Sequence, residues 1–97
     1  MRVEWDAEKD RSNRAKHGVS FDEARKLLEG GDDHLVIYDA EHSRDEDRFI
    51  AVGPIARGVI VLVYSEETDK VARIISARMA TRRERALFRR HLRGEKR

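Results

Sequence analysis

Residues 58–77, "GVIVLVYSEETDKVARIISA", decide the fold class of this chain. Two apolar runs rich in β-branched residues flank the polar segment "SEETD", which is typical of two strands joined by a hairpin loop. The first run is apolar on both faces, as expected of a central strand that is covered on both sides. The stretch therefore predicts an antiparallel strand pair at the middle of a sheet.

Three further strand patterns precede this stretch. "HLVIYD" at 34–39 and "RFIAVG" at 48–53 are apolar runs of strand length, and "PIAR" at 54–57 links the second of them to residue 58. "RVEW" at 2–5 predicts a short first strand. Because the connections among the four main strands are short, we expect a twisted, mainly antiparallel sheet.

Two helices are predicted between the first and second strands. Asp6 is suited to the N-cap of a surface helix that runs to about His17. Ser20 and Glu23 form a capping-box pattern, and Gly30-Gly31 would end the helix that begins there. Helices outside an antiparallel sheet place the chain in the α+β class.

A third helix is predicted after the last strand, where Thr81 and Glu84 form another capping-box pattern. One side of this helix should pack on the sheet through Leu87, Phe88, His91 and Leu92. An arc of about 160° on the opposite side carries Arg82, Arg83, Arg85, Arg89, Arg90 and Arg93. Guanidinium groups bind phosphate by two parallel hydrogen bonds, so the arc predicts a nucleic-acid or acidic-protein surface. A solvated charged face is the alternative.

Length and composition indicate the number of domains and the cellular compartment of the protein. Residues 1–97 are expected to form one domain, and the absence of cysteine excludes disulfide and thiolate chemistry. The longest apolar run is too short to span a bilayer, and "MRVEWDAEKD" lacks the apolar region of a signal peptide. We therefore expect a cytoplasmic protein with no membrane partner.

Charge is distributed unevenly along the chain. Residues 81–97 carry eight Lys/Arg and two Glu, whereas residues 32–47 hold seven carboxylates and one arginine. The acidic segment offers one chemical alternative, a Mg²⁺ site built from Asp39, Glu41, Asp45 and Glu46. Most such segments are solvated loops, and the four histidines lack ligand spacing, so no metal site is predicted.

The remaining polar residues favour RNA cleavage without a metal or another cofactor. RNA carries its own nucleophile, the 2′-hydroxyl, so the protein need supply only a base, an acid and cations for the developing charge. Seven residues are candidates for these catalytic roles: Lys16, His17, Glu46, Arg48, Tyr64, Arg73 and Arg78.

Several candidates also have a structural interpretation. His17 could only cap its helix, and Arg48 and Arg73 could only pair with the acidic segment. Tyr64 suits the edge of a core as well as the role of an acid. Trp5 could stack on an RNA base, but a lone tryptophan after a strand is more often a core anchor.

Four stretches resemble the BrnT family, ribonuclease toxins of type II toxin–antitoxin systems with a compact RelE-like fold. They are "EWDAEKDRSNRAKHGVSFDEA" (4–24), "DRFIAVG" (47–53), "VLVY" (61–64) and "ARIISARMATRRER" (72–85). The resemblance implies metal-independent RNA cleavage that stops translation. It also implies a cognate antitoxin, a BrnA-like DNA-binding protein, so that DNA is contacted only indirectly.

The matching stretches carry the family's functional residues over to this chain. With the arginine arc, they give as RNA-binding candidates Trp5, Lys9, Arg82, Arg83, Arg85 and Arg89. The chain departs from the family pattern at Met79, where lysine is usual, and at Phe88, where tyrosine is common. A non-catalytic nucleic-acid-binding module and a protein that binds an acidic partner are the alternatives to an endoribonuclease.

Overall fold

The computed structural model describes residues 2–30, 33–68 and 70–94. The elements are β1 (Arg2–Glu4), α1 (Ala7–His17), α2 (Phe21–Glu29), β2 (Leu35–Tyr38), β3 (Asp47–Ile55), β4 (Gly58–Thr68), β5 (Val71–Met79) and α3 (Arg82–Leu92). The predicted α+β class, with two N-terminal helices and a C-terminal helix, is confirmed. The helices in the described ranges lack the length and the apolar run that a membrane-spanning helix requires.

The five strands form one sheet in the order β1-β5-β4-β3-β2. β2, β3, β4 and β5 pair antiparallel with their neighbours, as the short connections predicted. β1 instead pairs parallel with β5, where Arg2–Glu4 lie opposite residues 71–73. The prediction of a mainly antiparallel sheet is therefore confirmed, and β4 is its central strand.

β3 and β4 extend into the predicted connections, and β5 continues two residues beyond its predicted run to Met79. Residues 54 and 55 of "PIAR" belong to β3, and only Ala56 and Arg57 form the turn. β4 likewise continues through "SEET" to Thr68, because backbone hydrogen bonds extend the hairpin beyond the core. Asp69 of the predicted loop and Gly31 of the predicted helix stop lie outside the described residues.

Different helices cover the two faces of the sheet. On the face that we call the α2 face, Phe21 of α2 packs in one cluster with Leu62 of β4. On the opposite face, the α3 face, Phe88 of α3 packs with Val61 of β4. Because β4 contributes to both clusters, the prediction of a strand covered on both sides is confirmed.

α3 covers only part of the α3 face. Phe88 is buried, and the His91 ring lies 3.2 Å from Asp33 Oδ1. Leu87 and Leu92 are 38% and 52% exposed, so the expectation that both pack on the sheet is wrong. Phe88 is the buried residue of this helix, and the sheet beside it remains open.

α1 closes part of one edge of the sheet. β1 pairs with β5 only at residues 71–73, so the rest of that edge needs other hydrogen-bond partners. The buried Asn13 supplies them at Ala77, where its Nδ2 donates to the carbonyl oxygen at 2.7 Å and its Oδ1 accepts from the N–H at 3.2 Å. Asn13 is the buried residue of α1, which confirms the predicted surface helix.

Candidate functional site

Three side chains on the α3 face stand in one row across the sheet. The register pairs Arg48 of β3 with Ser65 of β4, and Ser65 with Arg73 of β5. Opposed residues in neighbouring strands point to the same face. Because strands lie about 4.8 Å apart, the backbones at Arg48 and Arg73 are about 10 Å apart. Two long cationic side chains therefore flank Ser65.

A β-bulge in β5 brings Arg78 to the same face. Side chains alternate along a regular strand, so Arg73 and Arg78, five residues apart, would point to opposite faces. The register shifts after Val63 of β4, and Ile75 is inserted without an opposing residue. Arg78 then lies opposite Val61, on the α3 face. The inserted residue thus places both arginines on one surface.

A groove runs along the open part of the α3 face beside α3. Its floor is apolar, since β2, β3 and β4 contribute aliphatic side chains, and Leu87 of α3 contributes to its lining. We call it the sheet groove, lined among others by Ile37, Ile50, Val63, Ser76, Arg78 and Leu87.

Arg78 is held at the margin of this groove by Glu84. Its Nη1 and Nη2 donate to Oε1 and Oε2 of Glu84, each at 2.8 Å, and Nη1 also donates to the Met79 carbonyl oxygen at 3.3 Å. Glu84 Oε1 accepts in addition from the Thr81 N–H at 2.8 Å. The hydrogen bonds from Arg78, reinforced by that from the Thr81 N–H, lower the pKa of Glu84 to about 2.

The row of Arg48, Ser65 and Arg73 has few internal partners. Arg73 Nη1 donates to Glu4 at 3.3 Å, and the Arg48 side chain pairs with none of the described residues. Neither arginine therefore pairs with the described part of the acidic segment. Ser65 is 1% exposed, and its Oγ has no hydrogen-bond partner among the described residues. Buried hydroxyls are normally paired, so this one is an exception within the described residues.

Arg48 also lines an open cleft with Glu46 and His42, both from the segment between β2 and β3. His42 Nδ1 lies 2.8 Å from Asp39 Oδ2, which fixes the orientation of the ring. In the described ranges, no three histidine or acidic side chains gather as a metal ion would require. The alternative Mg²⁺ site is not assembled there.

The exposed arginines of α3 and of its C-cap form the surface that we call the arginine face: Arg82, Arg83, Arg85, Arg89, Arg90 and Arg93. Arg85 Nη1 donates to the Ala80 carbonyl oxygen at 3.1 Å. Arg82, Arg83 and Arg89 pair with no residue in the part of the chain that the structure describes. Their guanidinium groups are therefore available to a partner.

Tyr64 lies on the other side of the sheet from these arginines. It is 4% exposed on the α2 face, where it stacks on Phe49 with ring centroids 5.6 Å apart. Burial, and next the charge of Glu66, raises the pKa of its phenol. The fold does not bring Tyr64 together with Arg48, because successive residues of β4 point to opposite faces.

The candidates from the first matching stretch, residues 4–24, lie just after β1 or in α1. Trp5 is half-buried and meets Phe21 edge-on at 6.3 Å between ring centroids, which is the position of a core anchor. Lys9, Lys16 and His17 are exposed on α1, which borders the β5 edge. These three residues therefore lie outside the row of Arg48, Ser65 and Arg73.

Sequence reasoning missed two residues of this site. The capping-box pattern identified Glu84 as a helix start, but its pairing with Arg78 depends on the bulge at Ile75. Ser65 is the first polar residue after an apolar strand pattern, but the pattern of "SEETD" predicts a loop there.

Comparison with known proteins agrees with this architecture. A family model described as "Ribonuclease toxin, BrnT, of type II toxin-antitoxin system" matches residues 5–84. The fold is similar to that in the "1.1 Angstrom-resolution crystal structure of the Brucella abortus ribonuclease toxin, BrnT", with a TM-score of 0.66 and 24% identity. The alignment covers 84% of this chain and 99% of that one. A search of curated proteins gave no match.

The matched range contains Arg48, Arg73 and Arg78, together with the Thr81–Glu84 capping box, and it stops before most of the arginine face. It takes in every strand from β2 to β5 and both N-terminal helices. The chain therefore belongs to the BrnT family, the ribonuclease toxins of type II toxin–antitoxin systems.

Proposed function

We propose that this toxin is a metal-independent endoribonuclease that stops translation by cleaving RNA on the α3 face. The 2′-hydroxyl gives its proton to a base and attacks the adjacent phosphate, and the P–O5′ bond breaks. The products are a 2′,3′-cyclic phosphate and a 5′-hydroxyl whose oxygen receives a proton from the acid. The observation that carries the proposal is the placement of Arg48, Arg73 and Arg78 on one open surface. Negative charge grows on the phosphate in the transition state, so fixed cations beside it lower the barrier.

The row of Arg48, Ser65 and Arg73 is the proposed phosphate site. Arg48 has its donors available, and Arg73 keeps part of its charge balanced by Glu4. The Ser65 hydroxyl would donate a further hydrogen bond to a phosphate oxygen once the flanking arginines engage the RNA.

The roles of base and acid are assigned to residues by their positions in the fold. Glu46 is the proposed base, because it lines the same cleft as Arg48. Lys16 and His17 are the proposed sources of the acid, at the end of α1 that follows Asn13 on the β5 edge. Tyr64 is left out of the chemistry, since its ring is buried on the α2 face.

The arginine face is proposed to bind the RNA backbone beside the site, with Lys9 as a further RNA contact. Trp5 is left out, because its ring packs against Phe21 in the cluster of the α2 face. The same face is proposed to bind acidic side chains of the cognate antitoxin, a BrnA-like protein that alone contacts DNA. Guanidinium pairs with phosphate and with carboxylate by the same bidentate geometry. The antitoxin would then inhibit by covering the face and Arg78, without a conformational change in the toxin.

The direct test is incubation of the purified protein with RNA, with and without EDTA, followed by analysis of the product ends. We expect equal rates and 2′,3′-cyclic phosphate ends. Arg48→Ala and Arg73→Ala should each cleave about 10²-fold more slowly, because each removes a positioned donor. Arg25→Ala is the control, since Arg25 lies on α2 and pairs with Asp22 and Glu29.

Two results would redirect the proposal. Activity that EDTA abolishes and Mg²⁺ restores would favour chemistry at the acidic segment. Binding of RNA and DNA alike without any product would favour the non-catalytic nucleic-acid-binding alternative.

A further inference from the structure

Glu84 joins two parts of the site that are separate in the sequence. Its carboxylate caps α3 through the Thr81 N–H and pairs with Arg78 at the end of β5. The start of the arginine face and the guanidinium at the groove margin are therefore fixed by one side chain. At 29% side-chain exposure, Glu84 is partly shielded from water, and its pairing is screened less than a surface pair.

The hydrogen bonds of Arg78 also decide which of its donors stay available. A guanidinium has five N–H groups. Glu84 takes one from Nη1 and one from Nη2, and the Met79 carbonyl oxygen takes the second from Nη1. The Nε–H and the remaining Nη2–H lie side by side on one edge of the guanidinium plane. This free edge has the two-donor geometry that suits a phosphate.

We infer that Glu84 is a positioning residue for RNA cleavage, which holds Arg78 so that its free edge binds a phosphate of the substrate. The inference rests on the proposed function. A carboxylate that merely neutralised the charge of Arg78 would weaken phosphate binding. Glu84 instead accepts hydrogen bonds from two of the N–H groups of Arg78 and fixes the direction of the two on the free edge, so the guanidinium is preorganised for a phosphate. Glu84 itself does not touch the RNA.

The chain contains a matched control for this inference. Glu23 is the capping-box glutamate of α2, and Arg57 donates to both of its oxygens, at 2.8 and 3.0 Å. Glu23→Gln and Glu84→Gln therefore make the same chemical change in the same local structure. Arg57 lies in the β3–β4 turn, so only Glu84→Gln alters the α3 face.

The experiment measures kcat and KM for RNA cleavage in the parent, the two glutamine variants, Arg78→Ala, and Arg78→Ala with Glu84→Gln. Unfolding is followed in parallel, and rates are taken well below the midpoint of every variant. We expect Glu84→Gln to lower kcat on the order of 10- to 100-fold, with a smaller change in KM. Glu23→Gln should lose similar stability and keep the parent kcat. Arg78→Ala with Glu84→Gln should match Arg78→Ala alone.

Three outcomes overturn the inference. Parent kcat in Glu84→Gln would show that the pair is only structural. A further loss in the double variant equal to that in the single one would show that Glu84 acts independently of Arg78. Normal cleavage by Arg78→Ala would remove Arg78 from the site and overturn the proposed function of this arginine as well. Absence of cleavage by the parent overturns both proposals.

Discussion

At the scale of single residues, Ser65 carries an unusual cost for a buried strand position. Ser65 lies between Arg48 and Arg73 across the sheet. Its hydroxyl is buried and has no hydrogen-bond partner among the described residues. A buried polar group without a partner destabilises the folded state by about 1–3 kcal/mol. Such a cost at a proposed phosphate site is typical of groups that are arranged for a ligand.

We expect Ser65→Ala to raise the free energy of unfolding by about 1 kcal/mol and to slow RNA cleavage. Both effects would have one cause, because the hydroxyl lacks a partner among the described residues and is proposed to donate to phosphate in the complex. Urea unfolding and RNA cleavage would be measured on the same preparations. A variant that is less stable, or that cleaves at the parent rate, would show that the hydroxyl has another role.

Tyr64 provides a second test at this scale. Because its ring lies on the α2 face and stacks on Phe49, Tyr64→Phe should cleave RNA at the parent rate. A loss of cleavage with retained stability would restore the tyrosine as the acid. The sequence could not decide between these roles, because "GVIVLVY" is apolar on both faces and alternation does not reveal which way its last residue points.

At the scale of elements, α3 is a helix whose charge has little to do with its own folding. The Thr81–Glu84 capping box and the buried Phe88 account for its start and its docking. Arg82, Arg83, Arg89 and Arg90 pair with none of the described residues. Their repulsion is a cost that ligand binding would relieve, which favours an interaction surface over a stabilising one.

Changing these four arginines to glutamine should leave the fold intact and weaken binding to single-stranded RNA. Each phosphate contact that is lost should reduce the slope of log K against log salt by about 0.7. Antitoxin binding should weaken in the same variant. The control changes Arg11, Arg14, Arg25 and Lys26 of α1 and α2 to glutamine, an equal loss of charge. Equal salt slopes in the two variants would identify the arginine face as solvated surface.

The helices and strands were largely predictable from the sequence, whereas the tertiary contacts between them were not. Both capping boxes, the stop near His17 and the order of strands follow from local signals in the sequence. The parallel pairing of β1 with β5 and the contact of Asn13 with Ala77 depend on residues more than sixty positions apart. The bulge at Ile75 has no local signal, yet it decides that Arg78 joins Arg73 on one face.

At the scale of the whole molecule, two glutamates link stability to pH. Glu23 and Glu84 have pKa values lowered from 4.5 to about 2, each mainly by hydrogen bonds from an arginine. Their contribution to stability is complete above the unfolded pKa and is lost as the pH falls from about 4.5 towards 2. The ion pairs of Glu23 with Arg57 and of Glu84 with Arg78, at the starts of α2 and α3, should therefore be lost in acid.

A variant that carries both Glu23→Gln and Glu84→Gln should lose less stability than the parent between neutral pH and pH 2. Thermal unfolding midpoints of both proteins across this range provide the measurement. Parallel curves would mean that other carboxylates dominate the acid response.

The parallel pairing of β1 with β5 determines when the sheet can be completed during synthesis of the toxin. Residues 2–4 leave the ribosome before residues 71–73 and have no strand partner until those residues follow. At about 5–20 residues per second, synthesis takes seconds to supply them. Until then Glu4 has no Arg73, and Asn13 has no Ala77. The proposed site, which includes Arg73 and Arg78 of β5, would thus be assembled only after synthesis of this ribonuclease toxin has passed the last strand.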